Sequence, residues 1–362
     1  MLSIGLNCGL TAPWQDPENT KGAHNAPRWD FTSRPLRDRT LRLAIINDYQ
    51  NLAGGCGDWH GLAADVSVDI FNDRLVDGAT AAERLAPYEI VVAAREETRF
   101  DEGLVGALPN LELLVTHGMS NAALDLAALA AHGVTVCGTT YGPTQSTTAE
   151  ITWTLILALA KHVTAEDRTI RDGGWGADLP VGLSCRTLGL LGLGQIGERV
   201  ARTGQTFDME IIAWSENLTG ERCTDVGVRL VDKAALFRQS DFLSVHLKLG
   251  DRTRGLVGRE DIGLMKPDSC LVNTSRGPIV DEAALVDALE NRRIGGAGLD
   301  VYDVEPLPQN HRLRRLANTV VVAHIGGRTR DNFVARYGEA FEDVAAWLAG
   351  KPVRVLVSPP VS

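Results

Sequence analysis

The chain has 362 residues, enough for two domains, and its content of 44% hydrophobic and 23% charged residues is typical of a globular, enzyme-like protein. Its net charge of −10 disfavours nucleic acids and anionic membrane surfaces as partners, because both require basic protein surface. No apolar run is long enough for a membrane span, and the N-terminal residues lack the basic segment of a signal peptide. Six scattered cysteines without a C-x-x-C pair indicate buried thiols in a reducing compartment, so we expect a cytoplasmic protein.

Residues 1–40 differ in composition from the rest of the chain. Asn, Pro, Arg, Trp and Gly are mixed there without a period, which predicts a poorly ordered N-terminal extension. From residue 41 onward, short apolar runs alternate with helical patterns, which predicts a parallel sheet. Strands are predicted over 41–48, 66–71, 90–94, 111–116 and 134–137, with helices over 79–85, 104–108 and 121–132.

A long helix is predicted from about residue 147 to 162, extending towards 171, and a second alternation follows it. Its strands are predicted over 187–191, 210–214, 242–247, 270–273, 296–301 and 320–323, and its helices over 198–201, 233–238, 260–264 and 282–290. A final helix over 330–349 has one apolar stripe. We therefore predict an α/β protein with two Rossmann-like or flavodoxin-like parallel-sheet domains. Residues 41–145 and 328–362 would form the first domain, with residues 146–327 inserted into it as the second.

A glycine-rich turn lies past the middle of the chain, at Gly192-Leu193-Gly194-Gln195-Ile196-Gly197. It follows an apolar strand and leads into a helix, the context in which backbone N–H groups and a helix N-terminus bind a pyrophosphate. The alternative is a turn that only packs a helix on a strand. The weight of this context favours dinucleotide binding.

The end of the next predicted strand bears on the choice of dinucleotide. Ser215 and Glu216 stand where an acid would bind the adenosine ribose, and Glu216 would repel a 2′-phosphate. No Lys or Arg occurs between Trp214 and Gly220. The sequence therefore favours NAD and leaves NADP open, while an ordinary solvated acid remains the other interpretation of Glu216.

Three further strand ends carry polar side chains: Arg276, Glu305 and His324. An arginine can hold a carboxylate by two parallel hydrogen bonds, and a histidine beside a carboxylate can move a proton. Each of the three has a structural alternative when taken alone. Together they are what hydride transfer to a carbonyl requires, namely a proton donor, a partner that tunes it and an anchor for charge.

These motifs resemble those of the D-isomer-specific 2-hydroxyacid dehydrogenase family, over about residues 41–357. The matching segments are Leu191–Gly197, Asn273–Gly277, Leu299–Val301 with Glu305–Pro306, and His324–Gly327. The resemblance implies hydride transfer between NAD(P)(H) and the C2 atom of a D-2-hydroxy acid or 2-keto acid. It implies that Arg276 anchors the substrate, that His324 is the acid and base, and that Glu305 hydrogen-bonds and tunes His324.

The resemblance also implies binding residues around that centre. Gln195 and Ile196 would contact the pyrophosphate, Leu247 and Thr274 would line the cofactor, and Asp300 would lie near the nicotinamide. The loop His117–Ser120 matches the family's substrate-carboxylate loop, so Gly118 and Met119 are expected to bind substrate through backbone N–H groups. Whether His117 itself contacts substrate or packs the loop is left open. No metal site is expected.

Two other functions stay open at this stage. One is a dinucleotide-sensing, protein-binding module that resembles C-terminal-binding corepressors; the other is a phosphite- or formate-type dehydrogenase, although Glu305 disfavours the formate type. The resemblance implies a homodimer through residues 147–175, whose apolar side chains include Ile151, Trp153 and Leu155, with burial within one chain as the alternative. The substrate side chain would be read by loops 95–98, 118–121 and 310–315.

Overall fold

The computed structural model describes residues 40–62, 65–75, 77–94, 96–140, 144–176 and 178–359. The predicted extension, apart from residue 40, lies outside these ranges. Two β-sheets organise the described chain, and each has apolar clusters on both of its faces. Most central strands are buried on both faces, which explains why they are continuous apolar runs rather than alternating patterns.

The first sheet has the strand order β2-β1-β3-β4-β5, extended by β13 beside β5. Its first five strands are parallel, in the flavodoxin-like order. The edge strand β13 was not predicted, and it runs antiparallel to β5. The strands are β1 (Leu41–Ile46), β2 (Val66–Ile70), β3 (Ile90–Ala93), β4 (Leu113–Thr116), β5 (Thr135–Gly138) and β13 (Val355–Val357).

The second sheet is wholly parallel, in the order β12-β11-β10-β9-β6-β7-β8. This is the doubly wound order of a dinucleotide-binding fold, in which ligands lie beyond the carboxyl ends of the strands. The strands are β6 (Thr187–Leu191), β7 (Glu210–Trp214), β8 (Arg229–Leu230), β9 (Phe242–Val245), β10 (Cys270–Asn273), β11 (Gly296–Leu299) and β12 (Thr319–Val321). The predicted fold class is therefore confirmed.

In the part of the chain that the structure describes, four α-helices accompany the first sheet. Apolar side chains of α11 pack on one face of it, and those of α1, α2 and α3 pack on the other. The chain thus returns, after the second sheet, to cover the first. These helices are α1 (Gly78–Leu85), α2 (Glu102–Gly106), α3 (Leu126–Ala131) and α11 (Arg330–Leu348).

The remaining helices accompany the second sheet. The long predicted helix is divided at His162, which has a left-handed φ of 53° and begins a separate helix. The helix α7 and the short strand β8 were not predicted. The helices are α4 (Thr144–Ala160), α5 (Val163–Arg171), α6 (Gln195–Thr206), α7 (Gly220–Val226), α8 (Lys233–Gln239), α9 (Arg259–Gly263) and α10 (Glu282–Glu290).

The apolar surface of α4 is buried within the chain. Ile151, Trp153 and Leu155 belong to the core between this helix and the second sheet. Leu155 approaches β11 so closely that a Cβ on Gly298 would lie 2.9 Å from it. Of the two alternatives that the sequence left open for these side chains, burial within one chain is the one observed, so they lend no support to a dimer interface.

Side chains cap the N-terminus of most helices, but α6 begins differently. Asp232 at α8 and Asp281 at α10, for example, each accept a hydrogen bond from the backbone three residues on. At α6 the capping position is Gly194, which has no side chain to offer. No side chain at the capping position therefore accepts a hydrogen bond from the first backbone N–H groups of α6.

Candidate active site

His324 and Glu305 form the centre of the site. Both follow strands of the second sheet, and His324 Nδ1 lies 2.7 Å from Glu305 Oε2. Although burial acts to raise the pKa of Glu305, the hydrogen bond and charge of His324 hold that pKa below its usual value. Both side chains are one-third exposed, so the imidazole is oriented by a carboxylate while its other nitrogen remains free to face a ligand.

Asp300 positions the loop that carries His324. Its buried carboxylate accepts hydrogen bonds from the backbone N–H groups of Ile325, at 2.6 Å, and Gly326, at 3.0 Å. Burial raises the pKa of Asp300, and the two backbone donors oppose that rise. A side chain on Gly326 would collide with Ile151 and with Asp300 itself, so glycine is required there. His324 has a positive φ of 52°, a strained conformation that these contacts maintain.

Tyr302 is a positioning residue that sequence reasoning missed. Its hydroxyl donates to the carbonyl of Val322 at 2.7 Å, and its backbone N–H donates to Glu305 Oε1 at 3.0 Å. The ring is buried. Tyr302 thus joins the loop that bears Glu305 to the end of β12, and its place between Asp300 and Glu305 is the signal that would have found it.

Arg276 follows β10 and reaches towards the first sheet. Its guanidinium donates to the carbonyl of Ser275 at 2.7 Å and lies 3.3 Å from a carboxylate oxygen of Glu96. Its positive charge also helps to lower the pKa of Glu305. The structure therefore brings the three predicted side chains Arg276, Glu305 and His324 into one electrostatic cluster.

The glycine turn before α6 fits a dinucleotide pyrophosphate. Gly192 has φ of 107°, and a Cβ there would lie 2.6 Å from the carbonyl oxygen of His246. A Cβ on Gly197 would lie 2.3 Å from the carbonyl oxygen of Gly192. In contrast, no heavy atom lies within 4 Å of the place of a Cβ on Gly194. Two glycines close the turn and the third leaves space beside the N–H groups of Gln195 and Ile196.

The other predicted cofactor residues follow strands of the same sheet. Leu247 Cδ2 would lie 3.0 Å from a Cβ on Gly192, and Thr274 is buried, with its hydroxyl 2.8 Å from that of Thr152. Ser215 is half-buried and Glu216 is exposed just beyond β7. These positions suit a wall for the cofactor and an acid at its ribose.

The loop 117–120, predicted to bind the substrate carboxylate, follows β4 in the first sheet. The N–H group of Gly118 donates to Thr139 Oγ1 at 3.0 Å, so that group is already engaged, whereas Met119 and Ser120 are exposed. His117 is 1% exposed, and its ring packs edge-on against Tyr337 with centroids 4.7 Å apart. His117 therefore packs the loop, which resolves the alternative left open by the sequence.

Among the described residues, no group of three His, Cys, Asp or Glu side chains is arranged to hold a metal ion. Within the same ranges, every helix is too short or too polar to cross a membrane.

Comparison with known proteins places these features in a family. The family model for the NAD-binding domain of D-isomer-specific 2-hydroxyacid dehydrogenases matches residues 153–326. A glyoxylate reductase from Aeropyrum pernix is 36% identical over 283 residues, covering 73% of this chain and 84% of the relative. A D-3-phosphoglycerate dehydrogenase from Archaeoglobus fulgidus is 32% identical over 303 residues, covering 83% of this chain. The match spans only 56% of that relative's length.

A solved structure leads to the same family. The phosphoglycerate oxidoreductase from Vibrio cholerae O395 is 35% identical, with a TM-score of 0.79, and the match covers 86% of this chain and 99% of that one. These relatives do not favour the corepressor-like or the phosphite- and formate-type alternatives. The chain belongs to the D-isomer-specific 2-hydroxyacid dehydrogenase family and is an NAD-dependent oxidoreductase.

Proposed function

We propose that this protein reduces a short 2-keto acid to the D-2-hydroxy acid, with His324 as the proton donor and Arg276 as the substrate anchor. The observation that carries the proposal is the 2.7 Å contact between His324 Nδ1 and Glu305 Oε2, with the charge of Arg276 beside it. When bound, reduced NAD supplies the hydride that adds to C2 of the substrate.

His324 would supply the proton in this reaction. As the carbonyl oxygen of the substrate gains negative charge, the ring nitrogen that does not contact Glu305 donates its proton to that oxygen. Glu305 stays ionised because its pKa is lowered, so it stabilises the imidazolium before the transfer and keeps the ring oriented afterwards. In the direction of oxidation, the same nitrogen removes the hydroxyl proton.

The substrate carboxylate would be held from two sides. Arg276 offers parallel N–H donors, which suit a carboxylate better than a point charge does. From the first sheet, Met119 and Ser120 are exposed in the loop after β4, where backbone N–H groups can receive an anion. Binding from both sides would fix C2 between His324 and the cofactor.

The names of the relatives support a small 2-keto acid as the substrate. Glyoxylate reductase, hydroxypyruvate reductase and D-3-phosphoglycerate dehydrogenase are all among them. We take glyoxylate, hydroxypyruvate and the phosphorylated form of hydroxypyruvate as the candidate substrates.

The test is a panel of 2-keto acids with NADH and with NADPH, followed by absorbance at 340 nm. Turnover with NADH on glyoxylate or hydroxypyruvate is expected, with less or none on NADPH because of Glu216. If no 2-keto acid is turned over with either cofactor while NADH still binds, the protein is a dinucleotide sensor and the proposal fails.

The domain boundaries form part of the proposal. We assign residues 41–145 and 328–362 to the substrate-binding domain and residues 146–327 to the dinucleotide-binding domain. The strands within residues 41–138 and 355–357 form the first sheet, and the strands within residues 187–321 form the second. This supports the division. We also propose a cytoplasmic location, which is supported by the five free cysteines among the described residues.

We also propose a homodimer. The apolar side chains of α4 are buried within the chain and do not support a dimer. The support comes instead from apolar side chains exposed on α5 and on the segment after it. Val163 and Ile170 are about half exposed, Trp175 is 91% exposed and Leu179 is 86% exposed. Large apolar side chains exposed in this way cost free energy in water unless another surface covers them. Light scattering after gel filtration should give twice the chain mass, and Trp175→Ser should shift the protein towards the monomer; a wild-type monomer would refute the proposal.

A further inference from the structure

An acidic side chain stands against the substrate anchor. Both carboxylate oxygens of Glu96 approach Arg276 Nη2, at 3.4 Å and 3.3 Å. The side chains of Glu96 and Arg276 are 28% and 29% exposed, so the pair is accessible to a ligand without being fully solvated. Glu96 belongs to the loop after β3 and Arg276 to the loop after β10, so each sheet contributes one member of the pair.

The backbone holds Glu96 in this place. Glu96 has φ of 58°, a conformation that costs free energy for any residue with a side chain. Two residues later, the buried Thr98 accepts a hydrogen bond from Asn47 Nδ2 at 2.8 Å and donates to the carbonyl of Leu75. The strained Glu96 is thus held in place by the hydrogen bonds of Thr98. Strained backbone of this kind is common where a loop contacts a ligand.

The neighbouring acid is engaged differently. Glu97 accepts a hydrogen bond from the hydroxyl of Tyr49 at 2.8 Å and pairs with Arg74 at 3.0 Å. Its charge is therefore balanced within the first-sheet unit and is directed away from Arg276. Two acids, adjacent in sequence and equal in charge, thus differ in whether they contact the substrate anchor.

The position of Glu96 has a consequence for charge recognition. A 2-keto acid carries one carboxylate, and Arg276 must hold it while already beside one anion. A second anionic group on the substrate would lie near Glu96 while the Arg276 guanidinium is occupied by the substrate carboxylate. That second group and the Glu96 carboxylate would then repel each other. A neutral substituent meets no such penalty, and a hydroxyl group can donate a hydrogen bond to the Glu96 carboxylate.

We infer that Glu96 is a specificity-determining residue that selects 2-keto acids with a neutral or hydroxyl-bearing C3 over those with a second anionic group such as a phosphate. The inference rests on the proposed function and deepens it, since it favours the hydroxypyruvate class over its phosphorylated form. The segment 95–98 that the sequence predicted to read the substrate side chain also includes Arg95, which lies outside the described residues.

The kinetic test compares hydroxypyruvate with 3-phosphohydroxypyruvate in the wild type, Glu96→Gln and Glu97→Gln. Glutamine keeps the size and the hydrogen-bonding oxygen while removing the charge. Glu96→Gln should raise kcat/KM for the phosphorylated substrate, relative to hydroxypyruvate, by about tenfold. Glu97→Gln makes the same change of net charge one residue away and should leave that ratio within about twofold of the wild type.

A binding test gives a readout that does not depend on turnover. Dissociation constants of D-glycerate and 3-phospho-D-glycerate are measured on the NADH-loaded protein by cofactor fluorescence, and Glu96→Gln alone should favour the phosphorylated ligand. The inference is overturned if Glu96→Gln leaves both ratios unchanged, or if Glu97→Gln shifts them equally. If the wild type turns over no 2-keto acid, the proposed function fails, while the binding ratios still decide the role of Glu96.

Discussion

His117 and His324 each lie just beyond a strand end, one in each sheet, but their surroundings differ. His117 follows β4, is fully buried against Tyr337, and has no hydrogen-bond partner for Nε2 among the described residues. His324 follows β12, is one-third exposed and contacts Glu305. The two places are topologically similar, since both lie at the carboxyl edge of a parallel sheet.

The difference teaches that a strand end alone does not make a catalytic group. Burial lowers the pKa of His117 to about 3, with the charge of Arg336 adding to the effect, so its imidazole is neutral in the native protein. His324 instead has a carboxylate to orient it, and its side chain is one-third exposed. Partner and exposure, rather than position, separate a proton donor from a packing residue.

The largest expected effect comes from His324→Ala. We expect kcat to fall by more than about 10² because general acid catalysis is lost, while NADH binding is retained. His132→Ala is the matched control, because His132 also pairs with a carboxylate, Glu102 at 3.1 Å, away from the site. Steady-state kinetics and NADH fluorescence titration check both; wild-type turnover in His324→Ala would refute its role.

Glu305→Gln should have the next largest effect. The amide keeps an acceptor for the N–H of Tyr302 but removes the charge that stabilises imidazolium, so we expect kcat to fall by about tenfold or more with a smaller change in KM. Because the pKa of Glu305 is lowered, the carboxylate is ionised above its ordinary pKa and this support is lost only at more acidic pH. The control is Glu102→Gln, and equal kcat values in the two variants would contradict the assignment.

Asp300→Asn tests the support beneath His324. An amide cannot accept both backbone hydrogen bonds, so one N–H group, of Ile325 or Gly326, loses its partner. We expect a loss of about 1–3 kcal/mol in the free energy of unfolding and a fall in kcat. Denaturant unfolding and kinetics on the same sample measure both. An unchanged kcat with reduced stability would make Asp300 a structural residue only.

His117→Phe should have the smallest effect on activity, but it should clearly change how the free energy of unfolding depends on pH. Since the native pKa is about 3 and the ordinary value is 6.5, the unfolded chain takes up the proton first as the pH falls. The stability from the neutral ring is complete above pH 6.5, and about 2 kcal/mol of it is lost by pH 5.

In His117→Phe that share of the pH dependence should be absent, with kcat within about twofold of the wild type. Urea unfolding at pH 7 and pH 5 provides the comparison. The same loss of stability between these pH values in both proteins would contradict a buried neutral imidazole, and a large loss of kcat would return His117 to the substrate site.

Much of the fold was predictable because long apolar runs and strong breakers mark the elements. The strands over 210–214 and 270–273 and the helix over 282–290 agree with their predicted bounds. The strands β8 and β13 were missed because two or three residues give no measurable period, and their pairing is set by the neighbouring strand. The break at His162 is a backbone conformation that no local composition announces.

The site was predictable where it is local and unpredictable where it is not. The motifs named Arg276, Glu305 and His324, and the geometry brings these three together. The role of Tyr302 depends on a hydroxyl that reaches the end of another strand. The contact of Glu96 with Arg276 joins residues 180 positions apart, so only tertiary structure reveals it.

The return of α11 to the first sheet also governs the order in which the protein can mature on the ribosome. One face of that sheet, including Leu43 and Val92, is covered by Phe333, Tyr337 and Val344. These three residues are translated after every strand of the second sheet. During synthesis, the face of the first sheet that α11 covers therefore stays exposed. The dinucleotide-binding domain can complete its core before that face is covered.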